Sequence, residues 1–118
     1  MAIKDYDIYY GGRLFRPVAT TDGSDTTSET IFKYEQKGDM LTGTYAGGDV
    51  YFGHLIGTVD ERGRIDMRYH HMTENGDLMT GICQSTPEIM SNGKIRLYER
   101  WRWTCGNRSK GRSTLEEL

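Results

Sequence analysis

The stretch Lys94–Cys105 reads KIRLYERWRWTC, and its residues alternate between long polar side chains and mostly apolar ones. Successive side chains of an extended strand point to opposite faces. Arginine cannot give up its charge to enter a core, so the face that carries the arginines must lie in solvent. That face holds Arg96, Tyr98, Arg100 and Arg102, and the inward face holds Ile95, Leu97, Glu99, Trp101 and Trp103. The stretch therefore predicts a sheet whose interior contains two tryptophans and a carboxylate.

The composition favours an all-β fold. The 118 residues include 15 glycines and only 2 prolines, and the glycines separate short runs rich in tyrosine, isoleucine, threonine and tryptophan. Glycine used between such runs is typical of strands joined by turns. A chain of this length holds one core, so we expect a single domain over residues 1–118.

Turn sequences divide the chain into nine short runs, which predict a barrel of about eight strands. The predicted strands cover residues 6–10, 13–18, 28–36, 40–46, 50–59, 64–72, 77–86 and 94–105, with a last strand ending at 118. Short connections make sequence neighbours antiparallel neighbours in space. Closing such a sheet removes its edges, so we predict an up-and-down antiparallel β-barrel. The polar loop Thr20–Thr27 is expected to be an exposed connection rather than a lid.

Charge and hydropathy predict the cellular location of the protein and exclude some classes of partner. A net charge of −2 and the lack of a basic block other than the arginine row argue against broad nucleic-acid binding. No run is long enough for a membrane helix, and no apolar N-terminal segment suggests export. We therefore expect a cytoplasmic protein with no membrane partner, whose two cysteines are reduced.

The predicted strand Val50–Val59 is apolar on both faces. Phe52 and Ile56 fall on one face, while Tyr51, Leu55 and Val59 fall on the other. Burial of both faces in a small antiparallel barrel requires a cover on the outside. We expect that cover to be a second copy of the chain, in a homo-oligomer.

Two short segments at opposite ends of the meander resemble known strands. The runs Leu41–Tyr45 (LTGTY) and Trp101–Gly106 (WRWTCG), the second followed by Ser113–Leu115, resemble strands of avidin and streptavidin. The resemblance implies a calycin-type, avidin-like barrel in which Tyr45, Cys83 and Trp101 face the cavity. It does not extend to the biotin site, because the first strand lacks the Asn and Ser of that family's ureido pocket.

A second resemblance covers nearly the whole chain from Ser28 onward. The runs SETIFKYEQKG, LTGTYAGG, GHLIGTVDERGRIDMRYHHM, NGDLMTGICQSTPEI and NGKIRLYERW are similar to a family of small bacterial proteins often labelled N-acetylglutamate synthase. An acetyltransferase of the usual kind holds pyrophosphate on a glycine-rich loop that leads into a helix, and the sequence has no such run. The resemblance implies a compact fold and brings no catalytic residues with it.

Several side chains are candidates for chemistry inside the barrel. Tyr69 shares the apolar face of its strand with His71, so it is expected to point inward as core or as a ligand contact. Cys83 is either a small buried hydrophobe or a reactive thiol. His70 and His71 are adjacent and point to opposite sides, so they cannot both join His54 at one metal. We expect no metal and no cofactor.

Glu99 is the strongest functional candidate because a carboxylate among apolar groups is costly unless it is paired or used. As a structural group it would need an interior partner such as Arg13, Arg16, His54 or a tyrosine hydroxyl. As a functional group it would have a pKa raised by burial, and it would bind a polar ligand group or carry a proton. The sequence leaves both interpretations open.

Three functions follow from these residues. The first is a small-molecule-binding barrel with a cavity lined by Tyr45, Tyr69, Cys83, Glu99 and Trp101. The second is an acid–base enzyme, an isomerase, cyclase or lyase, in which Glu99 carries the proton and Tyr69 or His54 is its partner. The third is an oligomerisation module with a filled interior.

Overall fold

The computed structural model describes residues 8–118, which form one closed antiparallel barrel. Its eight strands follow each other around the barrel in sequence order, and β1 pairs with β8 to close it. The predicted all-β class and up-and-down barrel are confirmed. The strands are β1 Leu14–Thr20, β2 Ile31–Lys37, β3 Met40–Gly47, β4 Val50–Val59, β5 Ile65–Thr73, β6 Leu78–Ile89, β7 Ile95–Trp103 and β8 Lys110–Glu117.

The N-terminal hairpin differs from the prediction. The predicted strand 6–10 lies partly outside the described residues, and residues 8–10 are not a strand. Tyr10 is instead fully buried, and its hydroxyl donates to the Gly63 carbonyl at 2.6 Å. Its ring packs against Phe15 and Tyr34 inside the barrel. We call this end, marked by Tyr10 and the turn at Gly63, the closed end.

Side chains fill the barrel at the closed end. Phe15, Tyr34, Leu41 and Leu97 are each fully buried there. Full burial of a side chain of this size stabilises the fold by about 1.5–3 kcal/mol relative to leaving it in water. The opposite end, which carries the loop of residues 21–30 between β1 and β2, we call the loop end.

Strand β7 follows the predicted alternation. Its five inward positions are buried, and Tyr98, Arg100 and Arg102 are exposed on the outer face. Outside, Arg96 pairs with Glu116 of β8 at 2.8 Å. At the other end of the same two strands, Arg100 stands directly opposite Arg112.

The described part of the chain contains no helix that is long and apolar enough to cross a membrane.

Candidate functional site

A cavity of about 50 Å³ lies inside the barrel toward the loop end. Seven of the eight strands and the loop between β1 and β2 contribute to its wall. Most of the wall surface is apolar, and polar groups from the strands and the loop are set into it. The aromatic members are Phe32, Tyr45, Tyr69, Trp101 and Trp103.

The structure brings most of the sequence-predicted site residues to this cavity. Tyr45, Tyr69, Cys83, Glu99 and Trp101 all line it.

His54 does not join them. Gly53 and Leu55 turn inward, so the side chain between them turns outward. There the His54 ring lies 5.7 Å from the ring of His70, on the outer face of β5. His54 is therefore a correction to the list of candidates, since it cannot act as the partner of Glu99 within the cavity.

A glycine lets Tyr45 reach across a whole strand. Tyr45 on β3 stands directly opposite Gly53 on β4, and Gly53 stands directly opposite His71 on β5. A Cβ added at Gly53 would collide with the Tyr45 ring. Because that Cβ is missing, the ring passes over β4 and its hydroxyl lies 2.9 Å from His71 Nδ1.

The same arrangement recurs around the cavity. Tyr69 on β5 lies over Gly81 on β6, and its ring meets Trp103 on β7 with centroids 5.8 Å apart. Trp101 on β7 lies over Gly111 on β8. Tyr45, Tyr69 and Trp101 therefore each have a glycine as a directly opposite neighbour, and these glycines make room for the large rings inside a small barrel.

A hydrogen-bonded chain runs from the cavity wall to the loop. His71 is buried, and its Nε2 lies 2.9 Å from Oδ2 of Asp25 in the loop. An ionised carboxylate only accepts hydrogen bonds, so Nε2 donates to Asp25. In the neutral ring Nδ1 then accepts from the Tyr45 hydroxyl. The order Asp25–His71–Tyr45 fixes the orientation of both rings.

The loop between β1 and β2 covers the cavity, which corrects the expectation of an exposed connection. Ser24, Asp25 and Thr26 belong to the cavity wall. Gly23 adopts a left-handed conformation with φ of 91°, and its carbonyl accepts a hydrogen bond from Trp103 Nε1 at 3.0 Å. Two wall residues, His71 and Trp103, therefore hold the loop in place.

Glu99 is buried between two serines. Ser85 stands directly opposite it on β6, and Ser113 stands directly opposite it on β8. The Ser85 hydroxyl donates to Glu99 Oε2 at 3.0 Å. Burial raises the pKa of Glu99 to about 7, and the Ser85 hydroxyl and the Cys83 thiol limit the rise.

No cation balances this carboxylate in the described part of the chain. Arg13 instead pairs with Glu117 at 3.0 Å, and Arg16 is exposed on the outer face of β1. None of the described residues that line the cavity is a lysine or an arginine. Among residues 8–118, Glu99 therefore has no lysine or arginine partner with which to form a structural ion pair, and its carboxyl group faces the cavity.

Cys83 does not have the environment of a reactive thiol. It is buried beside Glu99, and burial together with the negative charge of Glu99 raises its pKa well above the usual value. The thiolate is the nucleophilic form, so the protonated Cys83 acts as part of the wall.

The remaining wall residues were not identified as candidates from the sequence. His71 was placed on the inward face by the alternation of β5, and that buried imidazole was a signal that polar partners must exist. Nothing local in the sequence points to Asp25 as one of them. Ser113 was noted only as part of a resemblance; it accepts a hydrogen bond from Trp101 Nε1 at 2.9 Å.

Within residues 8–118, no group of three or more His, Cys, Asp or Glu side chains is arranged to hold a metal ion.

Comparison with known proteins gives one match. A family model described as avidin-like protein matches residues 8–118. No curated protein and no solved structure matches the chain. The match agrees with the avidin-like resemblance of the short strand segments, and nothing in the comparisons supports the N-acetylglutamate synthase label.

Proposed function

The chain belongs to the family of avidin-like proteins, and from this premise we propose that it binds a small molecule in the cavity at the loop end of its barrel. The observation that carries the proposal is Glu99. It is a buried carboxyl group on the cavity wall, with a neutral hydroxyl as its hydrogen-bond donor and no cationic partner among the described residues. Such a group is costly to keep as structure alone.

The composition of the wall supports the same function. Small-molecule sites are mostly apolar and aromatic, with a few polar groups that fix the orientation of the ligand. Here the rings of Tyr45, Tyr69 and Trp101 surround the space while Glu99 and the loop residue Asp25 supply the polar contacts. The volume of about 50 Å³ suits a compact group of a few non-hydrogen atoms, and the rest of a larger ligand would extend toward the loop.

Tryptophan fluorescence gives a direct test, because the chain has only two tryptophans and both line the cavity. The purified protein is titrated with a panel of small amines, alcohols, carboxylic acids and sugars. We expect saturable changes in fluorescence for at least one class. Glu99→Gln should weaken that binding at least tenfold, while Glu35→Gln on the exposed face of β2 should leave it unchanged.

A cavity-filling variant completes this test. Cys83→Leu adds bulk to the wall beside Glu99 and should also weaken binding. The proposal fails if no member of the panel changes the fluorescence, or if binding is unaffected by both Glu99→Gln and Cys83→Leu.

Acid–base catalysis is a second candidate, favoured by the pKa of about 7 at Glu99. A carboxyl group with a pKa near the working pH is suited to accept and return a proton. Tyr69 also lines the cavity, and burial raises its pKa, so it would act as a hydrogen-bond donor. An isomerase, cyclase or lyase of this kind should show a rate that depends on an apparent pKa near 7 and should lose activity in Glu99→Gln.

We also propose that a second copy of the chain covers the outer face of β4. Tyr51, Phe52 and Ile56 are 64%, 54% and 57% exposed there, and contiguous apolar patches of this kind mark interaction surfaces. Light scattering at micromolar concentration should give a dimer or larger assembly. Ile56→Lys should shift it toward the monomer, and a wild-type monomer would contradict the proposal.

A further inference from the structure

We propose that the ligand of this cavity presents a cationic nitrogen, an ammonium group or an alkylated amine, to the aromatic rings and to Glu99. This inference rests on the proposed function, since it names the chemical class that the cavity takes. It is carried by the arrangement of the rings and by the sign of the charges that face the cavity.

The rings enclose one small space from several directions. Phe32 stacks on Tyr45 with centroids 4.7 Å apart. Trp103 meets Tyr69 edge to face and meets Trp101 at a tilt, each at 5.8 Å. The faces of aromatic rings attract a cation that lies within about 6 Å of the centroid. The Trp103 ring is steeply inclined to those of Tyr69 and Trp101, and such an angle suits a compact cationic group better than a flat ring system.

The charged groups at the cavity are acidic at both ends. Glu99 lies within the barrel, and Asp25 lies at the loop, hydrogen-bonded to His71. Both ring nitrogens of His71 are already occupied, by Asp25 and by Tyr45. The arginines of β7 point to the outer face of the barrel, because they alternate along the strand with the residues that line the cavity. They therefore do not face Glu99. No lysine or arginine of the described chain lines the cavity, so a ligand cation supplies a counter-charge to Glu99.

Neutral and anionic ligands fit this wall less well. An anion would bring a like charge next to Glu99 in a water-poor space, where the repulsion is stronger than in bulk water. A neutral ligand could donate a hydrogen bond to Glu99, but it would leave the negative charge of the carboxylate facing only neutral partners, the Ser85 hydroxyl and the Cys83 thiol. A cation gains both the ring faces and the carboxylate.

The pH dependence of binding follows from the groups that face Glu99. Burial is the main reason that the pKa values of Tyr34, Tyr45, Tyr69 and Cys83 are raised, and the charge of Glu99 adds to it. These four groups keep their protons near neutral pH. A cation binds the ionised form of Glu99, whose pKa is about 7. Its affinity should therefore rise about tenfold between pH 6 and pH 8.

The test compares three ligands of similar size and different charge: n-butylammonium, n-butanol and butyrate. Each is titrated into the full chain, with tryptophan fluorescence as the readout, at pH 6, 7 and 8. Wild type and Glu35→Gln should bind butylammonium at least tenfold more tightly than butanol at pH 8, with butyrate weakest. In Glu99→Gln the preference for butylammonium over butanol should disappear. The pH series on wild type is decisive even if that variant does not fold.

Each other outcome overturns the inference. If butanol or butyrate binds as tightly as butylammonium, the ligand is not cationic, although the cavity remains a binding site. If no amine binds, neither butylammonium nor any other amine of the panel, while alcohols, acids or sugars bind in a Glu99-dependent way, the cationic class is wrong and the proposed function stands. If no molecule of any class binds, the proposed function fails as well.

Discussion

The ring of Tyr45 lies over Gly53, its directly opposite neighbour, and reaches His71 on the strand beyond. The absence of a side chain at Gly53 therefore determines where the Tyr45 hydroxyl goes. Through His71 that hydroxyl is linked to Asp25 of the loop. One glycine thus controls the position of a ring, an imidazole and a loop.

Gly53→Ala should destabilise the protein by about 1–3 kcal/mol, since the new Cβ overpacks a filled site. Urea denaturation measures the change. In a Tyr45→Leu background the same substitution should cost much less, because the three atoms nearest to that Cβ all belong to the Tyr45 ring. Equal costs in the two backgrounds would show that the Tyr45 ring is not what excludes a side chain at position 53.

Stability should fall as the pH rises from about 4.5 to about 7 because of Glu99. Its pKa in the folded protein, about 7, lies above the ordinary 4.5, so the folded state holds the proton where the unfolded state has lost it. The contribution is fully present below pH 4.5 and is lost by pH 7, a change of about 3 kcal/mol. The contribution of Glu99 is measured by denaturing wild type and Glu99→Gln at a series of pH values. The free energy of unfolding of Glu99→Gln should not fall between pH 4.5 and pH 7, and above pH 7 the variant should be more stable than wild type. If the free energies of unfolding of the two proteins change with pH in the same way, this prediction is wrong.

Two buried tyrosines should respond to loss of the hydroxyl in opposite ways. Tyr10 donates to the Gly63 carbonyl at 2.6 Å, so Tyr10→Phe should cost about 1 kcal/mol. Among the described residues, the Tyr34 hydroxyl is the only buried side-chain N or O atom without a hydrogen-bond partner. Tyr34→Phe should therefore raise the free energy of unfolding by about 1 kcal/mol. Thermal melts of the pair compare them directly, and a destabilised Tyr34→Phe would reveal a partner for that hydroxyl.

The outer face of β7 and β8 contains an unfavourable pair. Arg100 stands directly opposite Arg112, and neither has an ion-pair partner among the described residues. Like charges in this position destabilise a sheet. Arg112→Glu should raise stability by about 0.2–1 kcal/mol, with Arg112→Gln between it and wild type. The gain should shrink in 1 M salt; a gain that is insensitive to salt would point to another cause.

The sequence was sufficient for the barrel and for the register of β7. Four adjacent outward positions of that strand carry long polar side chains, and no other orientation of Arg100 and Arg102 is compatible with a core. The positions of Tyr45 and Cys83 came from a resemblance rather than from the residue pattern. Those residues lie in strands whose own alternation is weaker.

The prediction of which β4 side chains share a face is wrong for an identifiable reason. A period of two places Tyr51 with Leu55 and Val59 on one face. A β-bulge between Val50 and Phe52 shifts the register there, so Tyr51 and Phe52 are both exposed while Val50 is buried. A bulge adds one residue to the count, and it leaves no clear mark in the side-chain pattern.

The loop could not be placed for a different reason. Asp25 meets His71, which is 46 residues away in the sequence. Such a contact depends on closure of the barrel and on the crossing of Tyr45 over Gly53. Local polarity predicts only that residues 20–27 are outside regular structure.

The barrel is closed, but one of its seams is narrow. The β1–β2 ladder contains only Leu14–Lys33 and Phe15–Phe32, extended by backbone hydrogen bonds that join Tyr34 to Gly12 and to Arg13, whereas β2 and β3 pair along the whole length of β2. Parting strands costs least where the fewest ladder bonds and apolar contacts are lost. Beside that seam stands Phe32, which is a wall residue of the cavity. We therefore expect the barrel to open most easily at this seam, so that a ligand larger than the cavity would be accommodated by outward movement of β2 rather than by expansion of the whole barrel.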